Sequence, residues 1–567
     1  MRLITQTSLA ALAALGVAAG AASAPAAQVP GGTLTMLAGT DVDFLDPGRT
    51  YYTFGYEVAL ATHRPLYSFR PDDALNPVPD LAAAPPQVSP DLKTVTVTLR
   101  PGVRYAPPVN REVTSADVKY AFERFFSRNV GGQYPGYFSV IKGAPSRPTR
   151  GVKAISGIAA PDPHTLVFTL KRAEGVSFAA SLVMPITAPV PAEYAKRYDR
   201  HDPSTYNAHA VATGPYMVKA YKPGRSIELV RNPNWVAATD YRPAYLDAIT
   251  IRTNARDARA AARQVAGGSS LLFDAIPPAS VLRQLQATSP ALLSAVPSGG
   301  FRYLSMNNDV KPFNKLDVRR AVMAGFDRVA ARQVRGGDLA GDVATHFLPP
   351  AFPGFDQAGG AAGFPDIPYF NQANQGGNRA LAAQYLKKAG YRSGRYTGKK
   401  PLLLVGPNVD PGRTQIRNAA SQLHRLGFRT RVRLVPQDEV YNDWCQVRSK
   451  KVAMCVAGWF KDFADPQPML EPVFRGSFVP QRRSRLLSSN ISMFRSRKVD
   501  AAMDAAARAT GEDRLRRWAA IDRMLIDQAA AIPFVWDRTT LLHAPNVVGV
   551  VNPYATAWDL SFTSIAP

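Results

Sequence analysis

The sequence predicts an α/β protein of two or three domains, and three observations carry that prediction. Segments with two-residue hydrophobic alternation are interleaved with segments of helical period along the chain, the pattern of α/β architecture. With 567 residues, 46% of them hydrophobic, the chain has apolar surface enough to offset its conformational entropy and is too long for one simple core. Its 48 Pro and 41 Gly punctuate it densely, which suits a loop-rich mixed fold and argues against a coiled coil or a bundle.

The first segment reads as an export address. Arg2 is the only charged residue before Asp41, an apolar run covers residues 9–22, and small residues follow at Ala22-Ser23-Ala24 and Ala24-Pro25-Ala26. A positive start, an apolar core and an A-x-A exit make residues 1–26 a signal peptide, with retention as an uncleaved anchor the alternative. No Cys stands near the exit, so no lipid attachment there is expected. No later run of about 18 apolar residues suggests a polytopic membrane protein.

The elements follow in order. Residues 33–37 alternate as a strand; residues 92–100 do so more cleanly, with β-branched side chains, and Pro101-Gly102 ends them. Thr114-Ser115-Ala116-Asp117 caps a helix with Val118, Phe122, Phe125 and Phe126 on its apolar face. Residues 165–170 form a strand with Leu166, Phe168 and Leu170 on one side. In the second half, 301–306 reads as a strand and 317–334 as one amphipathic helix. Residues 402–405 read as a buried strand, 413–426 as a helix closed by Gly427, and 430–435 as an alternating strand. A helix over 512–528 leads into a strand at 532–536. The Gly-, Pro-, Gln- and Asn-rich stretch 349–377 reads as a surface excursion.

Composition narrows the function. Lys and Arg number 68 against 43 acids, a formal charge of +25, but the excess is spread along the chain and its densest clusters (425–433, 448–451, 482–485) sit in no nucleic-acid module. No nucleic-acid partner is expected. The elbow, zinc-protease, dinucleotide and P-loop motifs of enzymes are absent, and the seven His are scattered; only His201 and His209 are close in sequence, and no metal site or cofactor is expected. Asp462 and Asp465 could mimic an acid pair, but Asp465 precedes Pro466 and reads as a turn residue. In an exported chain the two cysteines, Cys445 and Cys455, favour a disulfide, with two buried thiols as the alternative.

Several segments, in order, resemble the family 5 extracytoplasmic solute-binding proteins, the dipeptide- and oligopeptide-binding receptors of ABC transporters. They are Leu45-Asp46-Pro47, Leu66-Tyr67, the run from Val95 to Arg124, Thr213-Gly214-Pro215-Tyr216, Arg231-Asn232-Pro233, Pro312-Phe313 to Asp327-Arg328, and Gly458-Trp459-Phe460-Lys461-Asp462 with Asp465-Pro466. Where such proteins usually carry a Phe-His-Asp-Gly type turn, this chain has residues 105–112, a departure in a surface loop.

The resemblance implies a periplasmic-binding-protein-like fold of two lobes around a hinge with an extra inserted domain. It divides the chain into lobe I (27–65, 185–275 and 535–567), an inserted domain (66–184) and lobe II (276–534). It implies a periplasmic receptor, a monomer, that captures oligopeptides and delivers them to a membrane permease and its ATPase. A non-peptide solute such as a metal chelate or an oligosaccharide, or a secreted hydrolase, are the alternatives. Asp462 would hold the ligand's ammonium, with an exposed loop carboxylate as its plain alternative. Trp459 would be an apolar wall or a core aromatic. Tyr51, Tyr52 and Thr53 would line the pocket or pack at the hinge.

Overall fold

The computed structural model of the chain describes residues 28–567 except 147, 254, 256, 275–276, 482–486, 550, 553 and 556. The export segment 1–26 and the basic cluster at 482–485 therefore lie outside the described residues.

Strict alternation builds the smaller of the two main sheets. Thr94–Thr98 and Thr165–Thr169 pair antiparallel, with Val95 opposite Phe168 and Val97 opposite Leu166, and all four side chains are buried. Gln87–Val88 and Ile158–Asp162 complete this four-stranded sheet. The helix Ser115–Phe125 starts where expected: Asp117 accepts the Thr114 N–H (2.8 Å), a capping box. Its face of Val118, Phe122 and Phe125 joins the sheet's inner face in one core with Phe138 and Phe178.

The larger sheet has 11 strands and two halves. One half holds Thr33–Ala38, flanked in parallel by Ala248–Arg252 and Leu271–Asp274, with the hairpin Tyr216–Lys222 and Ser226–Arg231 outside. The other half holds Met454–Phe460, Leu402–Pro407 and Thr430–Val435 in parallel, backed by the helix Gly412–Arg425. They meet at one antiparallel pair of 13-residue strands, Leu293–Ser305 and Ala531–His543. Sequence periodicity anticipated only the second half of the first strand and the first half of the other. The pairing register breaks between Pro297 and Phe301, where Gly299 takes φ +60° and a Cβ would stand 2.5 Å from the Lys461 ammonium nitrogen. This pair is the one element that the two halves share.

A buried ion cluster fastens the smaller sheet's domain to the first half. Arg124, at the end of its helix, donates to both oxygens of Asp46 (2.8 and 2.8 Å) and to Asp199 (2.8 and 2.7 Å), and none of the three is solvent-accessible to any extent that matters. Two motif residues far apart in sequence, Asp46 of the Leu-Asp-Pro turn and Arg124, are thus direct partners. Likewise Asn232 donates to the Gly214 carbonyl (3.0 Å), joining two further motifs, and a Cβ at Gly214 would approach the Ala61 carbonyl to 2.9 Å.

Two expectations are corrected. The helix read over 317–334 is two helices, Leu316–Gly325 and Arg328–Arg335. Phe326 and Asp327 are extended between them, the Asp327 carboxylate caps the second through the Ala330 N–H (2.8 Å), and the Asp327 N–H donates to Gln422. The stretch 349–377 is not a surface excursion: Phe352, Phe364, Tyr369 and Phe370 insert into the core of the second half. Its polar, small residues form the turns, but its aromatic side chains bury too much apolar area to remain outside.

Candidate ligand-binding cleft

Asp462 lies just past the strand Met454–Phe460, in a loop that Asp465 ends by capping the helix Pro466–Phe474. Asp465 is in turn gripped by the buried Arg514 through two 2.7 Å bonds, which fixes the loop. Asp465 is therefore a structural residue, as its place before Pro466 suggested.

The Asp462 carboxylate is buried, with 4% of the residue exposed, which removes the reading of an exposed loop carboxylate. Three tyrosines from three separate segments converge on it. The Tyr51 hydroxyl donates to one carboxylate oxygen (2.6 Å), the Tyr137 hydroxyl to the other (2.5 Å), and the Tyr554 hydroxyl to the backbone carbonyl (2.5 Å). Burial pushes the Asp462 pKa up to about 6, against the opposing pull of the two phenols. Next to it, burial lowers the Lys461 pKa to about 7; its ammonium donates to the Ser298 carbonyl (2.9 Å) in the bulge of the shared strand pair.

Each tyrosine is placed by local structure. Asp43 receives the Tyr51 and Tyr52 N–H groups (2.6 and 3.0 Å) and the Thr50 hydroxyl (2.7 Å), turning the chain into the helix Thr53–Thr62 and aiming Tyr51 at Asp462. Tyr137 ends the short 3-10 turn Pro135–Tyr137, which follows Tyr134 in the left-handed region. Tyr134 packs on Tyr51 (4.4 Å between ring centres) and meets the edge of Trp459 (5.6 Å). Phe463 packs edge-on to Tyr137 (5.2 Å).

The structure therefore brings together Asp462, Trp459 and Tyr51. Trp459 combines both readings given to it: it is buried, its indole N–H donates to the Pro468 carbonyl (2.7 Å), and its ring meets the tyrosine cluster. Tyr52 and Thr53 do not join them; both side chains are exposed at the start of their helix, Tyr52 at 56%. Cys445 and Cys455 are joined in a disulfide that ties the π-helical turn Val440–Cys445 to the strand leading to Asp462. Sequence reasoning missed Tyr134, Tyr137, Lys461 and Tyr554 as site residues. The pair of tyrosines around Pro135-Gly136 was a usable signal, since aromatic residues flanking a tight turn repeat the Tyr51-Tyr52 pattern. Nothing local marks Tyr554.

A second bridge crosses the cleft. Ser177, on a helix of the smaller domain, contacts Gln467 and accepts from Arg514 (2.7 Å). The two bridges place the smaller sheet's domain and the first half in direct contact with the second half. Among the described residues a cavity of about 10 Å3 is lined by Tyr554 and Tyr241, and one of about 370 Å3 by Arg64, Arg70 and Tyr241; Asp462 lines neither.

Chemically, the cleft presents a dehydrated carboxylate inside an aromatic wall. A carboxylate offers about four lone-pair sites, and the phenols occupy two. It is suited to a cationic N–H donor.

Comparison with known proteins agrees with this architecture. Glutathione-binding protein GsiB of Salmonella typhi is 24% identical over 542 residues, 95% of this chain and 95% of that protein. Di/tripeptide-binding protein 2 of Pseudomonas aeruginosa is 26% identical over 464 residues, 79% of this chain and 80% of that protein. The solved structure of clavulanic acid biosynthesis oligopeptide binding protein 2 matches with a TM-score of 0.82 at 26% identity, over 96% of this chain and 97% of that one, so the fold is the two-lobed periplasmic-binding-protein fold. The model of the bacterial extracellular solute-binding proteins, family 5 Middle, matches residues 76–480, and the chain belongs to that family.

Proposed function

We propose that this protein is the extracytoplasmic receptor of an ABC importer, capturing short peptides between closing lobes and delivering them to a membrane permease and its ATPase. The observation that carries the reading is the burial of Asp462 where three parts of the chain meet. A receptor for many peptides must bind what peptides share, and the α-ammonium is one such group. In water-excluded surroundings a charge-assisted contact to a carboxylate is strong. Relatives named for glutathione and for di- and tripeptides support a ligand of this class.

In this reading Asp462 holds the ammonium, Tyr51 and Trp459 form the wall beside it, and Tyr52 and Thr53 stand at the cleft mouth. The lobes divide as 27–65, 185–275 and 535–567 against 276–534, with 66–184 inserted. The protein works outside the cytoplasm as a monomer after loss of residues 1–26, and catalyses no reaction. Because both oxygens of Asp462 are bonded and buried in the closed form, ligand enters only when the lobes separate. It then stabilises closure by binding the closed form better than the open one.

Mass spectrometry of small molecules released by denaturing the purified protein tests the assignment. Co-purified short peptides are expected. A single chelate or glycan would reassign the site to a non-peptide solute, and a hydrolysed product accumulating on incubation with peptide would overturn the receptor reading.

A further inference from the structure

The far end of the second lobe carries a concentration of positive charge that the ligand site does not use. Residues 387–451 hold 15 Lys and Arg against 4 Asp and Glu, in a chain whose total formal charge is +25. The fold gathers part of this surplus at one edge. Leu402–Pro407, Thr430–Val435 and Met454–Phe460 run parallel, with Leu402 opposite Thr430 and Leu404 opposite Met454, so all three enter the sheet from the same side. The Leu402 N–H donates to the Arg429 carbonyl (2.8 Å) and the Ala453 N–H to the Leu403 carbonyl (2.8 Å), which sets the three entering segments side by side.

Each of those segments is basic. Lys399 and Lys400 precede the first strand, Arg429 precedes the second and Arg431 lies on it, and Lys450 and Lys451 precede the third; all six are exposed. Among the described residues none of the six is in an ion pair; the carboxylates Asp309 and Asp410 are engaged instead by Arg448 and Arg495 and by Arg413. Thr430–Val435 is also the outermost strand of the sheet, so the rim faces outward. Asp462 lies beyond the opposite end of the seven-residue strand Met454–Phe460, about 20 Å away along it.

We propose that this rim docks the protein on the anionic phospholipid surface of a membrane. The chemistry favours a lipid leaflet over an acidic protein. Protein interfaces are built around a desolvated apolar centre from which Lys is depleted. Here the neighbouring Trp444 ring is already covered by Arg433 (4.4 Å) and Lys450 (4.9 Å) and offers no such centre. A cluster of four to eight exposed Lys and Arg without a shaped groove is what a diffuse, planar negative charge recognises, each residue adding about a further fivefold in affinity. Docking of this kind holds a diffusing receptor at the membrane independently of its ligand.

The test is co-sedimentation of the purified protein with vesicles of phosphatidylcholine alone and of phosphatidylcholine and phosphatidylglycerol in equal parts. Binding to the anionic vesicles only is expected, reversed by added salt. The quadruple variant K399A/K400A/K450A/K451A is expected to bind at least about tenfold more weakly, with an unchanged melting curve and unchanged peptide affinity. The control K93A/K153A/K219A/K222A, which removes as many exposed lysines elsewhere, is expected to retain binding. Equal loss in both variants would reduce the effect to net charge and overturn the proposal. So would equal binding to both vesicle types, or binding to soluble polyglutamate but not to vesicles, which would assign the rim to an acidic protein.

Discussion

Asp462 has exchanged water for two phenols, and the exchange is incomplete: its pKa stands near 6, above the usual 3.8, because burial penalises the carboxylate more than the hydroxyls favour it. The sign of the consequence is definite. In the empty protein the folded state binds this proton more tightly than the unfolded chain, so the group's contribution to stability is present below pH 4 or so and is lost as pH rises through about 6. Ligand binding runs the other way, since an ammonium needs the ionised form. Peptide affinity measured by calorimetry is expected to fall by about tenfold from pH 7, where a peptide's α-ammonium is still largely protonated, to pH 5, and Asp462→Asn is expected to flatten that profile. A wild-type profile as flat as the variant's would remove Asp462 from the contact. The residue was legible because it stands in a motif run, Gly458 to Pro466, that resembles a known family. Its partners Tyr137 and Tyr554 were not, because they are 2 of 22 tyrosines and reach it from segments 325 and 92 residues away.

Elements were legible in proportion to how local their cause is. The strand around Val95 and Val97 and the helix capped at Thr114 are dictated by neighbours within a few residues, and both form as expected. The two long shared strands were half-seen because Pro297-Ser298-Gly299-Gly300 interrupts the alternation of the first. Its partner lies more than 200 residues on, so the pairing leaves no local trace. Residues 349–377 misled for the opposite reason: turn-forming composition was visible, while the cavities its aromatics fill were not. The motif residues Asp46 and Arg124 gain a physical meaning at this scale, as partners in a buried cluster with Asp199. Arg124→Met would strand two buried carboxylates, and a loss of about 3–5 kcal/mol in urea unfolding is expected. A loss under about 1 kcal/mol would mean that the cluster is not what fastens the inserted domain.

At the scale of the molecule, the two halves of one sheet share a single strand pair, and in the proposed receptor what closes the cleft opposite it is polar and small. Tyr51 and Tyr137 reach Asp462, and Ser177 reaches Gln467 and Arg514. Contacts of this size bias an equilibrium without locking it. Removing both hydroxyls, Tyr51→Phe with Tyr137→Phe, leaves a buried carboxylate short of donors, at a cost of about 1–3 kcal/mol for each lost partner. Small-angle scattering of the ligand-free double variant is expected to give a larger radius of gyration than the wild type, with peptide restoring the compact form. An unchanged radius would mean that closure does not depend on these bonds.

The proposed receptor holds a ligand's ammonium on a buried carboxylate in a closing cleft. The most direct measurement is a calorimetric cycle: a short peptide and its N-acetylated form, each titrated into the wild type and into Asp462→Ala. Acetylation and the substitution are each expected to weaken binding by about 2–5 kcal/mol, and the doubly altered pair to lose little more than either alone. Tight binding of the acetylated peptide by the wild type, or a substitution effect below about 0.5 kcal/mol, would contradict it.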